Sequence, residues 1–156
     1  MDKKVIKKFF SAVKSGMIEK ITLMVEEYPS ILESTDELKN TALIQAASEN
    51  NIIGVRALVD LKANVNATNS SQSTALHEAT KEGHDKVVQF LLESGANTEM
   101  YDIYHLTPVL WAQTNYRVDC LRELIKYGGD LEAKDANNRT AIVREALQLR
   151  SPYDEE

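Results

Sequence analysis

Thr74-Ala-Leu-His-Glu-Ala79, followed by Gly83-His84, Leu91-Leu92 and Gly95-Ala96, decides how the rest of the 156-residue chain is read. The block returns at a fixed distance. Thr41-Ala-Leu-Ile-Gln-Ala46 lies 33 residues before it, and Thr107-Pro-Val-Leu-Trp-Ala112 lies 33 residues after it. Thr140 marks one more phase. Downstream positions keep the register: Val55, Val88 and Leu121; Leu58-Val59, Leu91-Leu92 and Leu124-Ile125; Ala63-Asn64, Gly95-Ala96-Asn97 and Gly128-Gly129-Asp130. A period of this length, held at many independent positions, marks an array of small stacked units.

Physical chemistry gives each recurring residue a task. A Thr before a short helix accepts a backbone N–H that the first turn leaves unpaired. Pro108 suits a first helical position, where no N–H is needed. Ala46, Ala79 and Ala112 are small enough for neighbouring units to approach closely. Gly83, Gly95 and Gly128 fall where a helix ends and the chain turns through the left-handed region. The second helix of each unit has an apolar face, with Val87, Val88, Leu91 and Leu92 in one and Leu121, Leu124 and Ile125 in the next. One unit cannot bury such a face alone, so neighbours must stack.

In these residues the sequence resembles the ankyrin-repeat family, whose 33-residue unit carries a Thr-Pro-Leu-His-x-Ala block and forms a β-turn followed by two helices. The resemblance implies an all-α solenoid of stacked helix-turn-helix repeats joined by β-turn or hairpin loops, spanning 1–151 as a single domain. Repeats are expected at 36–68, 69–101 and 102–134. A divergent N-terminal cap is expected at 1–35, because Phe9, Ala12, Gly16, Ile21, Met24 and Val25 match the third repeat at an offset of 67, one more than two periods. The extra residue is placed around Tyr28-Pro29-Ser30. A partial repeat is expected at 135–151, with Ile142, Val143, Ala146 and Leu147 on one helix, and an acidic tail at 152–156. Three departures stand out: Asn50 and Tyr116-Arg117 replace the Gly or Gly-His that ends the first helix, and Lys62 replaces a glycine, making 36–68 the weakest joint.

Composition narrows the function classes. The net charge is −6, which disfavours nucleic acid, since affinity there comes largely from neutralising phosphates. Lys3, Lys4, Lys7 and Lys8 are taken as the solvated face of a terminal helix. No apolar run approaches the ~20 residues that span a bilayer, and residues 1–10 lack the features of a secretory signal. Cys120 is the single cysteine, so no internal disulfide forms, and the cytoplasm or nucleus is the expected compartment. His77 and His84 stand where the resemblance implies a structural histidine that bonds the turns. His105 has no nearby ligand partner, Cys120 is expected to pack as a small apolar residue, and Glu26 and Glu27 fall on a solvated helix end. No phosphate loop or hydrolase motif is present. The expectation is no enzyme, no cofactor and no metal.

What remains is binding. The resemblance implies that ankyrin arrays bind protein partners with the turn tips and the exposed side of the first helices, a concave surface. By register this selects Ser70, Ser71, Ser73, Lys81 and Glu82 in the third repeat, and Ile103, Tyr104, Leu106, Thr114 and Asn115 in the fourth. Tyr101, Tyr104, Trp111 and Tyr116 fall within sixteen positions; aromatic residues concentrated on a presenting surface are typical of interface hot spots. For Trp111, packing between first helices is the equal alternative. The resemblance also makes Asn66, in Val65-Asn66-Ala67 after Leu58, a candidate for asparaginyl hydroxylation, against the simpler role of holding its turn by side-chain hydrogen bonds. The function expected is a protein-interaction scaffold or adaptor. The alternatives are a regulatory or targeting domain from a larger enzyme or channel, and a weakly self-associating domain.

Overall fold

The computed structural model describes residues 1–140, and its helices come in pairs. α1 (Lys3–Lys14) pairs with α2 (Ile18–Glu27), α3 (Ala42–Ser48) with α4 (Ile52–Asp60), α5 (Ala75–Glu82) with α6 (Asp85–Glu93), and α7 (Pro108–Thr114) with α8 (Val118–Lys126). α1, α3, α5 and α7 stack in one layer, and α2, α4, α6 and α8 in a second. Among the described residues there is no strand, only isolated bridges joining Thr35 to Thr41 and Lys134 to Thr140. This is the all-α solenoid expected. The helix expected to carry Ile142, Val143, Ala146 and Leu147, and the acidic tail, lie outside the described residues.

The recurring threonines start the helices. Thr41, Thr74 and Thr107 accept through Oγ1 from the backbone N–H of Ile44, His77 and Leu110 at 3.2–3.3 Å, and Pro108 takes the first position of α7. α5 ends at Gly83, whose φ of 79° is left-handed. Its equivalents, Asn50 and Tyr116, adopt the same region at φ 57° and 54°, and Lys62 sits at φ 73°. A side chain at such a φ costs roughly 1–2 kcal/mol, so the chain tolerates local strain to keep its repeat geometry. The extra residue of the first unit falls where a 3-10 turn, Pro29–Glu33, buries Ile31 and Leu32.

Packing follows the small residues. Ala46, Ala79 and Ala112 are buried between layers, and the apolar cluster runs without a break from Phe9 to Leu124. Polar groups fix the register between repeats. Asn51 Nδ2 donates to the Val13 carbonyl at 2.8 Å, His84 Nε2 to Ser48 at 2.9 Å and Arg117 Nε to Lys81 at 3.1 Å. Asn51, His84 and Arg117 are spaced by one period, so three chemically different side chains perform one task. A second ladder runs along the loops that follow the second helices. Glu33, Asn66 and Glu99 accept the backbone N–H of Asn64, Asn97 and Asp130 at 2.7, 2.8 and 3.0 Å.

Candidate protein-binding surface

The turns ahead of the first helices share one construction. Asp36, Asn69, Asp102 and Asp135 each accept two backbone N–H groups through Oδ1, from residues two and four positions on, at 2.8–3.1 Å. Such an Asx turn fixes the backbone locally. Three residues after each Asx, Lys39, Gln72, His105 and Asn138 occupy the left-handed region. Adjacent tips are bonded: Ser70 N donates to the Leu38 carbonyl and Ile103 N to that of Ser71, both at 3.0 Å. The first three tips are therefore joined into one rim. Sequence reasoning overlooked these four Asx residues, although their 33-residue spacing was the available signal.

On the turn of the fourth repeat, at Asp102, the rim becomes apolar. Tyr104, 59% exposed, meets Trp111 edge to face, with centroids 6.2 Å apart and planes at 88°. Trp111 is half-buried on α7, and its Nε1 donates to Asp102 Oδ2 at 2.6 Å. The Asp102 carboxylate thus holds the turn with one oxygen and the indole with the other. Lys81, on α5, places its Nζ 4.7 Å from the centroid of Trp111, a cation–π contact. The same ammonium donates to Glu78 Oε1 and Ser73 Oγ, each at 3.0 Å. Ile103 is exposed beside Tyr104. Tyr101 instead stacks on His105, with centroids 4.3 Å apart.

The other selected residues divide by environment. Ser70 and Glu82 are exposed and Ser71 half-exposed. Ser73 corrects the expectation: it is fully buried, accepting from Lys81 beneath the surface, so it offers a partner nothing. Leu106 is half-buried, and its carbonyl receives His77 Nε2 at 3.2 Å. Asn115 Nδ2 donates to the Lys81 carbonyl at 3.1 Å, which joins α7 to α5. Thr114 is exposed, with its hydroxyl donating to the Leu110 carbonyl. Asn66 has its amide oxygen in the inter-repeat ladder. Trp111, half-buried, packs against Lys81 and bonds Asp102.

The residues with reactive side chains are built into the scaffold. His77 is fully buried. Its Nδ1 accepts from Thr74 N at 3.1 Å, so Nε2 carries the proton donated to Leu106. Burial pushes its pKa below the usual histidine value, against the opposing pull of Asp102. Cys120 is buried, and burial, reinforced by Asp85, pushes its thiol up to about 11. A thiol so placed is not a ready nucleophile. Among the described residues no group of His, Cys, Asp and Glu is arranged to hold a metal ion, and no helix is long and apolar enough to cross a membrane.

Comparison with known proteins agrees with this architecture. A family model of ankyrin repeats in three copies matches residues 9–102. The chain is 30% identical over 115 residues to inversin of Canis lupus familiaris, covering 72% of this chain and 11% of inversin. It is 32% identical over 111 residues to the B-cell lymphoma 3 protein homolog of Mus musculus, covering 71% and 25%. Against the nuclear factor NF-kappa-B p105 subunit of Gallus gallus it is 29% identical over 119 residues, covering 74% and 12%. The match thus spans a quarter or less of each of these longer proteins. The chain belongs to the ankyrin-repeat family, a non-enzymatic fold whose repeats are protein–protein interaction modules.

Proposed function

We propose that this chain is a scaffold or adaptor that binds a protein partner through its hairpin tips and the exposed side of α5 and α7, in the cytoplasm or nucleus. The observation that carries the proposal is the Tyr104–Trp111 pair, whose tyrosine stands exposed on the rim while its half-buried tryptophan supports it. Large rigid aromatics lose little side-chain entropy on binding, and the Asx turn and the Asp102–Trp111 bond have already fixed them. The buried, hydrogen-bonded His77, the His84 bond to the Ser48 carbonyl and the buried thiol favour a binding role over a catalytic one.

Affinity capture with the wild-type chain, followed by direct binding measurements on the captured protein, tests this. Tyr104→Ala is expected to weaken binding about thirty-fold, the equivalent of ~2 kcal/mol at a hot spot. Its melting point should move little, because an exposed tip supports no core. Wild-type affinity in both Tyr104→Ala and Tyr101→Ala would move the site to the second helices. A second reading, that the chain is a regulatory or targeting segment of a longer protein, draws on the small share of each relative that the match covers. Under it the same surface binds within the parent chain, and the parent open reading frame decides between the two.

A further inference from the structure

We infer that the partner segment received at the hairpin of the fourth repeat carries an arginine, whose guanidinium seats on the Tyr104–Trp111 surface. The inference rests on the binding surface proposed above and adds its chemistry.

Its basis is a comparison between two hairpins of the same molecule. Asp102 and Asp135 occupy equivalent positions and bind their turns identically through Oδ1. They differ in the second oxygen. Asp135 Oδ2 receives the guanidinium of Arg139, with Nε at 2.8 Å and a terminal nitrogen at 2.7 Å. The residue four positions after Asp102 is Leu106, which brings no charge. Asp102 Oδ2 receives only the neutral indole N–H of Trp111, and no ion pair includes Asp102 among the described residues. Asp102 is nevertheless buried, only 4% exposed. Low-dielectric surroundings lengthen the reach of such a charge.

The aromatic rings above it are suited to a cation. One face of Trp111 already holds the Lys81 ammonium. That ammonium stands opposite two carboxylates, Glu78 at 3.0 Å and Asp102 across the indole, which among the described residues leaves these three groups one negative charge in excess. Glu82 lies exposed on the same helix as Lys81. A guanidinium stacks on an aromatic face better than an ammonium does and tolerates partial desolvation. The exposed ring of Tyr104 offers such a face, and the uncompensated charge beneath supplies the attraction. The hairpin of the third repeat has neither element: Asn69 is neutral and Ser71 stands in place of Tyr104.

The probes are two capped tripeptides, one with arginine between glycines and one with citrulline, which keeps the shape and loses the charge. Trp111 is the single tryptophan, so its indole N–H gives one unambiguous NMR signal. The arginine peptide is expected to shift the Trp111 indole and Tyr104 amide signals saturably, with citrulline about five-fold weaker. Tyr104→Leu, which keeps apolar bulk without the ring, should lose that preference. So should Asp102→Asn, whose turn is expected to survive because Asn69 builds the same turn in the third repeat. Equal shifts by both peptides would overturn the arginine assignment and leave the binding surface standing. Shifts confined to other repeats, or none at all, would overturn the assignment too, and the Tyr104→Ala capture result would then decide the surface on its own.

Discussion

The third and fourth repeats share a scaffold and differ at the face they present. In the interior, Val88 and Leu91 of α6 correspond to Leu121 and Leu124 of α8, and Ala79 corresponds to Ala112; all are buried. The bond to the preceding repeat persists although its donor changes from His84 to Arg117. At the surface, Ser70-Ser71 becomes Ile103-Tyr104, and Glu78 becomes Trp111. Interior positions are held by volume and by pairing of polar groups, whereas presenting positions are free to vary. Departures from the shared pattern at presenting positions are therefore where the specificity of an array resides.

The largest expected effect tests the equivalence of the interiors. Ala79 and Ala112 are both at most 1% exposed, and each lets its helix approach its neighbours. Leucine at either should force the layers apart at a cost of about 3 kcal/mol, the upper end for overpacking. Urea denaturation of Ala79→Leu and Ala112→Leu measures it. A midpoint unchanged in one and lowered in the other would break the equivalence of the repeats.

The next effect concerns a position where the two repeats differ inside. His77 corresponds to Leu110. In the third repeat the imidazole joins Thr74 to the Leu106 carbonyl of the following turn. His77→Leu removes those bonds from a buried site and should cost about 2 kcal/mol at neutral pH. The same histidine makes wild-type stability depend on pH. Its folded pKa lies below the unfolded value of 6.5, so between the two the unfolded chain binds more protons. The stabilisation is complete above 6.5 and is lost as pH falls through the folded pKa. The gap between wild type and His77→Leu should therefore narrow in acid. A gap constant from pH 7.5 to pH 5 would show that the folded histidine takes up its proton as readily as the unfolded one, with no lowering of its pKa.

Much of this was legible in the sequence. The period gave the fold, the threonine caps and the small residues between layers, because backbone geometry demands those residue types wherever the unit recurs. The site was legible only in part. Register placed Tyr104 and Trp111 on one side, and the structure brings them into contact. Register also selected Ser73, which is buried, because position in a repeat specifies a side chain's direction but not the long neighbour that covers it, here Lys81. Asp102 went unnoticed because its importance lies in the indole nine residues away, and such a pairing follows from the fold rather than from the repeat.

The smallest effect tests backbone strain at one position in the two repeats. Gly83 and Tyr116 both end a first helix in the left-handed region, at φ 79° and 54°. For tyrosine that conformation costs roughly 1–2 kcal/mol, and glycine avoids it. Glycine, however, loses more chain entropy on folding, about 0.5–1 kcal/mol. The tyrosine ring is 89% exposed and has little packing to forfeit. Tyr116→Gly is therefore expected to stabilise the chain by about 0.5 kcal/mol. The reverse change should act in the opposite direction and more strongly. At Gly83 an added Cβ would stand 2.9 Å from Arg117 Cδ, and moving that side chain disturbs its bond to the Lys81 carbonyl. Gly83→Ala should thus destabilise by about 1.5 kcal/mol, combining the strain with that displacement. Thermal melts of the two variants beside wild type supply both signs. Destabilisation by Tyr116→Gly would mean that the exposed ring supports the fold, and Tyr116 would leave the set of residues that differ for presentation alone.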